Sequence, residues 1–198
     1  MRTTAKPRTG SGLFSRREAA LLAGVSLKTV DKAIEEKIVK ARRSKTAGTL
    51  LDADDVMAIA VIGRAGVPLR SREKRTIRRW LQEIQPYGSE KKPELQLSDV
   101  VVIRLDPGFR DAFKQLSSYR EGRERYIESN PEIRRGEPVV AGTRIPVRAV
   151  AERVKGGEEI DDLIEDYPNV PRKAFEAALI YAQAHPRRGR PARPWREA

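Results

Sequence analysis

Apolar side chains recur along this chain at helical spacing from the start. Between Ser15 and Gly24, Ala19, Ala20, Leu22 and Ala23 form the inward side of a short helix. Ser15 stands three residues before Glu18, the capping-box spacing that opens a helix, and Gly24 supplies the left-handed position that closes one. Ser26 then caps a second helix running to about Lys37, with Val30, Ala33 and Ile34 on one face. Small Ala20 lets the two helices approach, and Val25, Val30 and Ile34 fill the angle between them. The constellation predicts a helix-turn-helix; an αα-hairpin with no DNA role would carry the same spacing.

Two β-rich runs come next, Ile38 to Arg42 and Gly48 to Leu51, joined by a loop containing Arg43, Ser44 and Lys45. They predict a wing whose basic tip could touch phosphate, which positions a protein on DNA without reading sequence. Asp52 caps a closing helix through Val56, Ile59 and Ala60. Pro68 to Gln85 predicts another helix, beginning near Ser71, with Ile77, Leu81 and Ile84 along one side and Trp80 beside them. Its other side carries Arg70, Arg72, Lys74, Arg75, Arg78 and Arg79. That helix either docks on the preceding module and adds positive surface or presents a solvated face bridging to the next domain. Pro86 to Pro93 is the linker candidate.

The pattern then changes character. Val100 to Ile103 with Leu105 is a β-branched run suited to a buried strand. Asp106 and Pro107 are a cap and a first-turn proline for a helix carrying Phe109, Phe113 and Leu116, whose apolar face is lost after Tyr119. Tyr126-Ile127 begins another strand before Asn130-Pro131. In GEPVVAGTRIPVRAV, residues 136–150, Val139-Val140 and Ile145-Pro146-Val147 flank a turn at Ala141-Gly142-Thr143, predicting a small hairpin. Pro146 has no N–H for a ladder, so its strand is an edge or very short. The common fate of Thr143 and Arg144 in such a turn is to fix it and to pair with a local carboxylate. Three helices complete the pattern: one around Ala149, Val150 and Val154, ended by Gly156-Gly157; one with Ile160, Leu163, Ile164 and Tyr167, stopped by Pro168; and one from about Pro171 carrying Ala174, Phe175, Ala178, Leu179 and Ala182.

The expected fold is therefore α+β and mostly helical. A disordered arm (1–12) precedes a winged helix-turn-helix (13–67), and a basic helix and linker (68–94) lead to a second region (95–185). That region combines a strand and helix with the hairpin and a three-helix homeodomain-like bundle for dimerisation or partner contact; residues 186–198 form a basic tail.

Charge sharpens this division. The net charge is +12, but residues 1–67 hold 13 Lys/Arg against 7 Asp/Glu and residues 68–94 hold 8 against 4. Residues 95–185 hold 14 against 16, and the tail 5 against 1. A basic excess at the ends points to a polyanionic partner, most commonly nucleic acid. Within residues 149–183, Arg153, Lys155, Arg172 and Lys173 stand against eight acidic groups. Such a face forfeits the counterion release that drives DNA binding, which assigns the bundle to protein contact. With no cysteine and a single histidine, His185, neither a disulfide framework nor a zinc site is expected. No apolar run approaches the roughly 20 residues of a membrane span, so a soluble, cytoplasmic protein is expected.

The segment from Phe14 through Val56 resembles winged helix-turn-helix domains of the excisionase and MerR kind. That resemblance implies a second helix in the major groove, with Ser26, Lys28, Thr29 and Lys32 as candidates for base or phosphate contact, joined by Arg42, Arg43 and Lys45 at the wing. A lysine on a helix is more often just solvated. Farther on, GEPVVAGTRIPV, GG, IDDLIEDYP and AALIYA, in this order, resemble a bacterial domain of unknown function found in VapB-type antitoxins. Pro171 departs from the Ser or Thr that often caps the last helix of that domain. The resemblance implies a PIN-like ribonuclease toxin as partner, operator DNA as a second partner and autorepression; a homodimer is expected because paired half-sites are the usual way such modules gain affinity and specificity.

Catalysis is not expected, and no cofactor is implied. Asp161, Asp162, Glu165 and Asp166 could in principle hold a divalent metal, but they also form the solvated face opposite Ile160 and Leu163. No nucleophile triad, phosphate loop or metal-spaced histidine pair is present. Mg²⁺-dependent cleavage lost in Asp162→Ala would contradict this reading. The tail permits three readings. It is a solvated segment; or Arg188-Gly189-Arg190-Pro191 acts like an AT-hook in a narrow minor groove; or Arg187, Arg188, Arg190 and Arg193, with Trp195 as anchor, occupy the carboxylate cluster of the implied toxin. The competing function is a stand-alone transcription or recombination-directionality factor without a toxin.

Overall fold

The computed structural model describes residues 12–45, 47–84, 94–105 and 107–186. Within them the chain is α+β and mostly helical, with small antiparallel sheets. Strand β1 (Phe14–Ser15) leads into helix α1 (Arg16–Ala23). The capping box is complete: Ser15 Oγ accepts the Glu18 N–H at 3.3 Å and the Glu18 carboxylate accepts the Ser15 N–H at 2.7 Å. Gly24 sits at φ 67°, where its N–H reaches the Ala20 and Leu21 carbonyls and ends the helix. Helix α2 (Leu27–Glu35) starts shortly after, with Ser26 Oγ accepting the Thr29 N–H at 3.1 Å.

Strands β2 (Arg42–Ser44) and β3 (Gly48–Leu51) form an antiparallel hairpin, and β1 adds to the free side of β3, opposing Phe14 to Leu51. The first arm starts later than the apolar run predicts. Ile38 and Val39 are buried core residues outside the ladder, and the next N–H, that of Lys40, is taken at 3.2 Å by the Asp55 carboxylate. A side chain thus replaces the strand partner. Helix α3 (Ala53–Arg64), capped by Asp52, and helix α4 (Ser71–Glu83), packed on it, complete this half.

Strands β4 (Glu94–Gln96) and β5 (Val102–Arg104) pair antiparallel. The buried strand expected at Val100 to Ile103 is corrected here: Val100 is 90% exposed and Val102 is 42% exposed. A lone two-stranded ribbon has no second layer over its outer face, so only Leu95, Leu97, Ile103 and Leu105 lean on the core. Helix α5 (Pro107–Tyr126) also runs farther than its apolar pattern predicts. Its inward face continues with different chemistry. At Gly122 a Cβ would come within 2.9 Å of the Ala177 Cβ, and Arg123 is buried. The linker at Pro86 to Pro93, the Asp106 cap and most of the amino-terminal arm lie outside the described residues.

Strand β6 (Ile127–Glu128) pairs with β7 (Val139–Val140). The hairpin around Gly142 is there as a turn, but its second arm is one bridge between Val139 and Pro146. The missing proline N–H prevents a longer ladder, and Val147 already begins helix α6 (Val147–Lys155). Helices α7 (Ile160–Asp166) and α8 (Arg172–Ala184) come last. Helix α8 is central to this half, packed on α5 and α6 and touching α7 and α1. The hydrophobic cluster is continuous from Phe14 in β1 to Ala178 in α8.

A buried ion pair fastens the halves. Glu18 Oε1 accepts the Tyr119 hydroxyl at 2.5 Å and Arg123 Nη1 at 2.8 Å, while Arg123 Nη2 donates to the Leu13 carbonyl at 2.8 Å. The guanidinium also lies 5.3 Å from the Phe14 ring centroid and 5.6 Å from that of Tyr119. Burial pushes the Glu18 carboxyl up, but the Arg123 charge and the Tyr119 and Ser15 donors outweigh it and hold the carboxyl below its ordinary value. Burial beside Glu18 pushes the Tyr119 phenol up, so it remains a donor.

Candidate nucleic-acid interface

The α1–Gly24–α2 turn and the β2–β3 hairpin carry the cations nominated from sequence. Ser26, Lys28 and Lys32 are exposed and Thr29 is half-buried. Ser26 Oγ and Thr29 Oγ1 lie 2.9 Å apart, so both hydroxyls spend hydrogen-bonding capacity on the helix start. Lys32 makes only a loose pair with Glu36 at 3.8 Å. Arg42 and Arg43 are exposed on β2 and Lys45 is exposed in the turn. Being adjacent in a strand, Arg42 and Arg43 point to opposite faces of the hairpin. Lys28, Arg42, Arg43 and Lys45 join no ion pair among the described residues.

Helix α4 corrects part of its sequence reading. Arg78 does not face solvent: it is 7% exposed and its Nε donates to the fully buried Asp55 at 2.6 Å, with Nη1 reaching Gln82 at 3.1 Å. Arg78 sits one residue, about 100°, from Ile77, close enough to the inward face for its long side chain to reach a buried acid. Burial pushes the Asp55 carboxyl up, against the hydrogen bond from Arg78. Lys74 is likewise engaged, donating to Glu36 at 2.8 Å, where the Ser71 hydroxyl joins at 3.3 Å. The Lys74 hydrogen bond outweighs the opposing effect of burial, and the Glu36 carboxyl is held below its ordinary value.

The second half treats its charges differently. Arg153 Nη2 pairs with Glu158 and Asp166, each at 2.5 Å, and Arg172 pairs with Asp161. Arg134 and Arg148 converge on Glu137 at 3.0 and 3.4 Å. Asp162 accepts the Glu159 N–H at 2.8 Å at the start of α7. Among the described residues no group of three or more His, Cys, Asp or Glu is placed to hold a metal ion.

In the turn of residues 141–145, Gly142 has φ 74° and its N–H reaches Glu128 at 3.1 Å. Thr143 Oγ1 donates to the Val140 carbonyl at 2.7 Å and accepts the Ile145 N–H at 3.0 Å, which fixes the turn. Arg144 does not take the local carboxylate: it is exposed and joins no ion pair among the described residues, while Glu128 serves the glycine instead. Arg187, Arg188, Arg190, Arg193 and Trp195 lie outside the described residues. Just before them, His185 stacks on Tyr181 with ring centroids 4.1 Å apart.

Sequence reasoning missed Arg123 and Asp55. For Arg123 a signal existed, since Leu116, Tyr119 and Arg123 keep the i, i+3, i+7 register of an inward face.

A family model described as a protein of unknown function, DUF433, matches residues 127–182, from β6 into α8. The uncharacterized protein y4eO of Sinorhizobium fredii (strain NBRC 101917 / NGR234) is 31% identical over 181 residues, covering 87% of this chain and 81% of its own. The chain belongs to the y4eO family. A structural comparison aligns it with the X-ray crystal structure of Rv2018 from Mycobacterium tuberculosis at 16% identity and TM-score 0.42, over 87% of this chain and 99% of that one. No helix among the described residues is long and apolar enough to cross a membrane.

Proposed function

We propose that residues 13–67 are a winged helix-turn-helix that binds operator DNA and that the chain is a non-catalytic antitoxin repressing its own operon. The observation that carries this reading is the set of exposed cations left without a carboxylate on α2 and the β2–β3 hairpin: Lys28, Arg42, Arg43 and Lys45. Lys32 adds to them through its loose pair. A helix start at Ser26 aimed at a groove, with a basic hairpin at its flank, suits base contact by the helix and phosphate contact by the wing. Two copies bound to paired half-sites would supply affinity and specificity.

The second half serves protein contact in this reading. Its three carboxyl-terminal helices, the homeodomain-like part of the proposal, carry arginines already engaged by carboxylates. The partner is a PIN-like ribonuclease, with the arginines of residues 187–193 pairing with its metal-binding carboxylates. Co-expression with the neighbouring reading frame tests this half: a short, carboxylate-rich protein should co-purify, and deletion of residues 186–198 should abolish neutralisation. A chain that binds its upstream DNA but retains no such partner would instead be a stand-alone DNA-binding factor.

A further inference from the structure

The outer face of α4 presents Arg72, Arg75 and Arg79, all exposed and in no ion pair among the described residues. Two other cations of the helix are consumed inside, Lys74 by Glu36 and Arg78 by Asp55. The three remaining guanidiniums lie at i, i+3 and i+7, directly opposite the face that buries Ile77 and Leu81. Like charges at this spacing destabilise a helix unless something outside it compensates them.

We propose that this stripe is a second contact surface for the DNA backbone, beside that of α2 and the hairpin; the inference rests on the DNA-binding reading above. Glu36 takes Lys32 from α2 and Lys74 from α4, which fastens the start of α4 to the end of α2. The buried Asp55–Arg78 pair clamps α4 on α3 and holds the stripe in a fixed position. From Arg72 to Arg79 the helix rises about 10 Å. One DNA strand presents about three phosphates over such a distance. The stripe has no apolar member, since Ile77 and Leu81 are buried and Trp80 and Ile84 lean on the core. A protein interface is centred on desolvated apolar or aromatic anchors, whereas phosphates need only cations. The chemistry therefore selects duplex DNA over an acidic protein.

The test is fluorescence anisotropy of the full chain on a roughly 30-bp duplex across a salt series. It compares wild type with R72A/R75A/R79A, R72K/R75K/R79K and, separately, K28A/R42A/R43A. Alanine on α4 should lower the slope of log affinity against log salt by about 2–3 and weaken all sequences alike, and lysine should restore most of it. Thermal unfolding of the α4 variants should match or exceed wild type, since alanine favours helix and removes the like-charge repulsion, which lysine retains. An α4 alanine variant with unchanged slope and affinity, beside an impaired α2 and hairpin variant, overturns this inference alone. Wild type that fails to bind duplex overturns the DNA-binding reading together with it. An α4 variant that keeps DNA affinity but loses an acidic protein partner assigns the stripe to protein and also overturns the proposal.

Discussion

The two halves of this chain differ in how far their arginines are paired with acids. In the first, Lys28, Arg42, Arg43, Lys45, Arg72, Arg75 and Arg79 stand exposed without a carboxylate among the described residues. In the second, Arg134, Arg148, Arg153 and Arg172 are each tied to a neighbouring acid, while Arg144, Lys155 and Lys173 are exposed and join no ion pair among the described residues. A paired guanidinium has already satisfied much of its field and offers a phosphate little; an unpaired one offers a full charge. Net charge by segment points the same way, but the pairing shows which individual groups are available. Between the halves sits a third kind, Arg123, whose charge is buried against Glu18 and serves the fold.

These three classes predict effects of different size. Removing the buried cation comes first. Arg123→Ala leaves Glu18 desolvated and unpaired and should cost about 3–5 kcal/mol of unfolding free energy, read from the urea midpoint. A loss below about 1 kcal/mol would mean that the junction is wet or malleable. Acid should reach the same contact. Because the Glu18 carboxyl is held below its ordinary value near 4.5, its contribution is present above that pH and is lost as pH falls through the lowered folded value. Titration monitored by near-UV circular dichroism should show acid loosening that is weaker in Glu18→Gln.

Removing unpaired or loosely paired cations should act on binding and spare the fold. Lys28→Ala with Lys32→Ala should weaken operator DNA binding by about tenfold or more while moving stability by no more than about 0.5 kcal/mol. Removing paired cations of the second half should change DNA binding least of all. Arg153→Ala with Arg172→Ala should leave duplex affinity at the wild-type value in the same anisotropy assay, and a drop matching that of the α2 variant would erase the distinction between the halves.

Local signals made much of this fold legible in sequence. The Ser15–Glu18 capping box, Gly24, the Ser26 cap and the Asp52 cap each act within a few residues, and each stands in the fold where its spacing predicts. The hidden features depend on partners distant in the chain. Glu18 announces its capping role through Ser15, but nothing local announces Tyr119 and Arg123, 101 and 105 residues away. The α5 helix looks finished after Tyr119 because Gly122 and Arg123 are not apolar, although one fits against Ala177 and the other is neutralised by Glu18. Arg78 reads as solvated from sequence for the same reason, its acid lying on another helix. Val100 and Val102 mislead in the other direction: Val100 lies in the bend before β5, and Val102 is in a strand that no second layer covers, although β-branched residues favour a strand either way. For the candidate site, the sequence identifies which side chains are basic; which are free depends on Glu36, Asp55, Asp161 and Asp166 being where the fold brings them.

The most direct test of this division is backbone amide NMR of the full chain titrated with duplex DNA from its upstream region. Chemical-shift changes should concentrate at residues 26–32 of the α2 region and 42–45 of the hairpin, extend to α4, and leave α6 to α8 unmoved. Changes concentrated in residues 147–184, or none at saturating DNA, would contradict it.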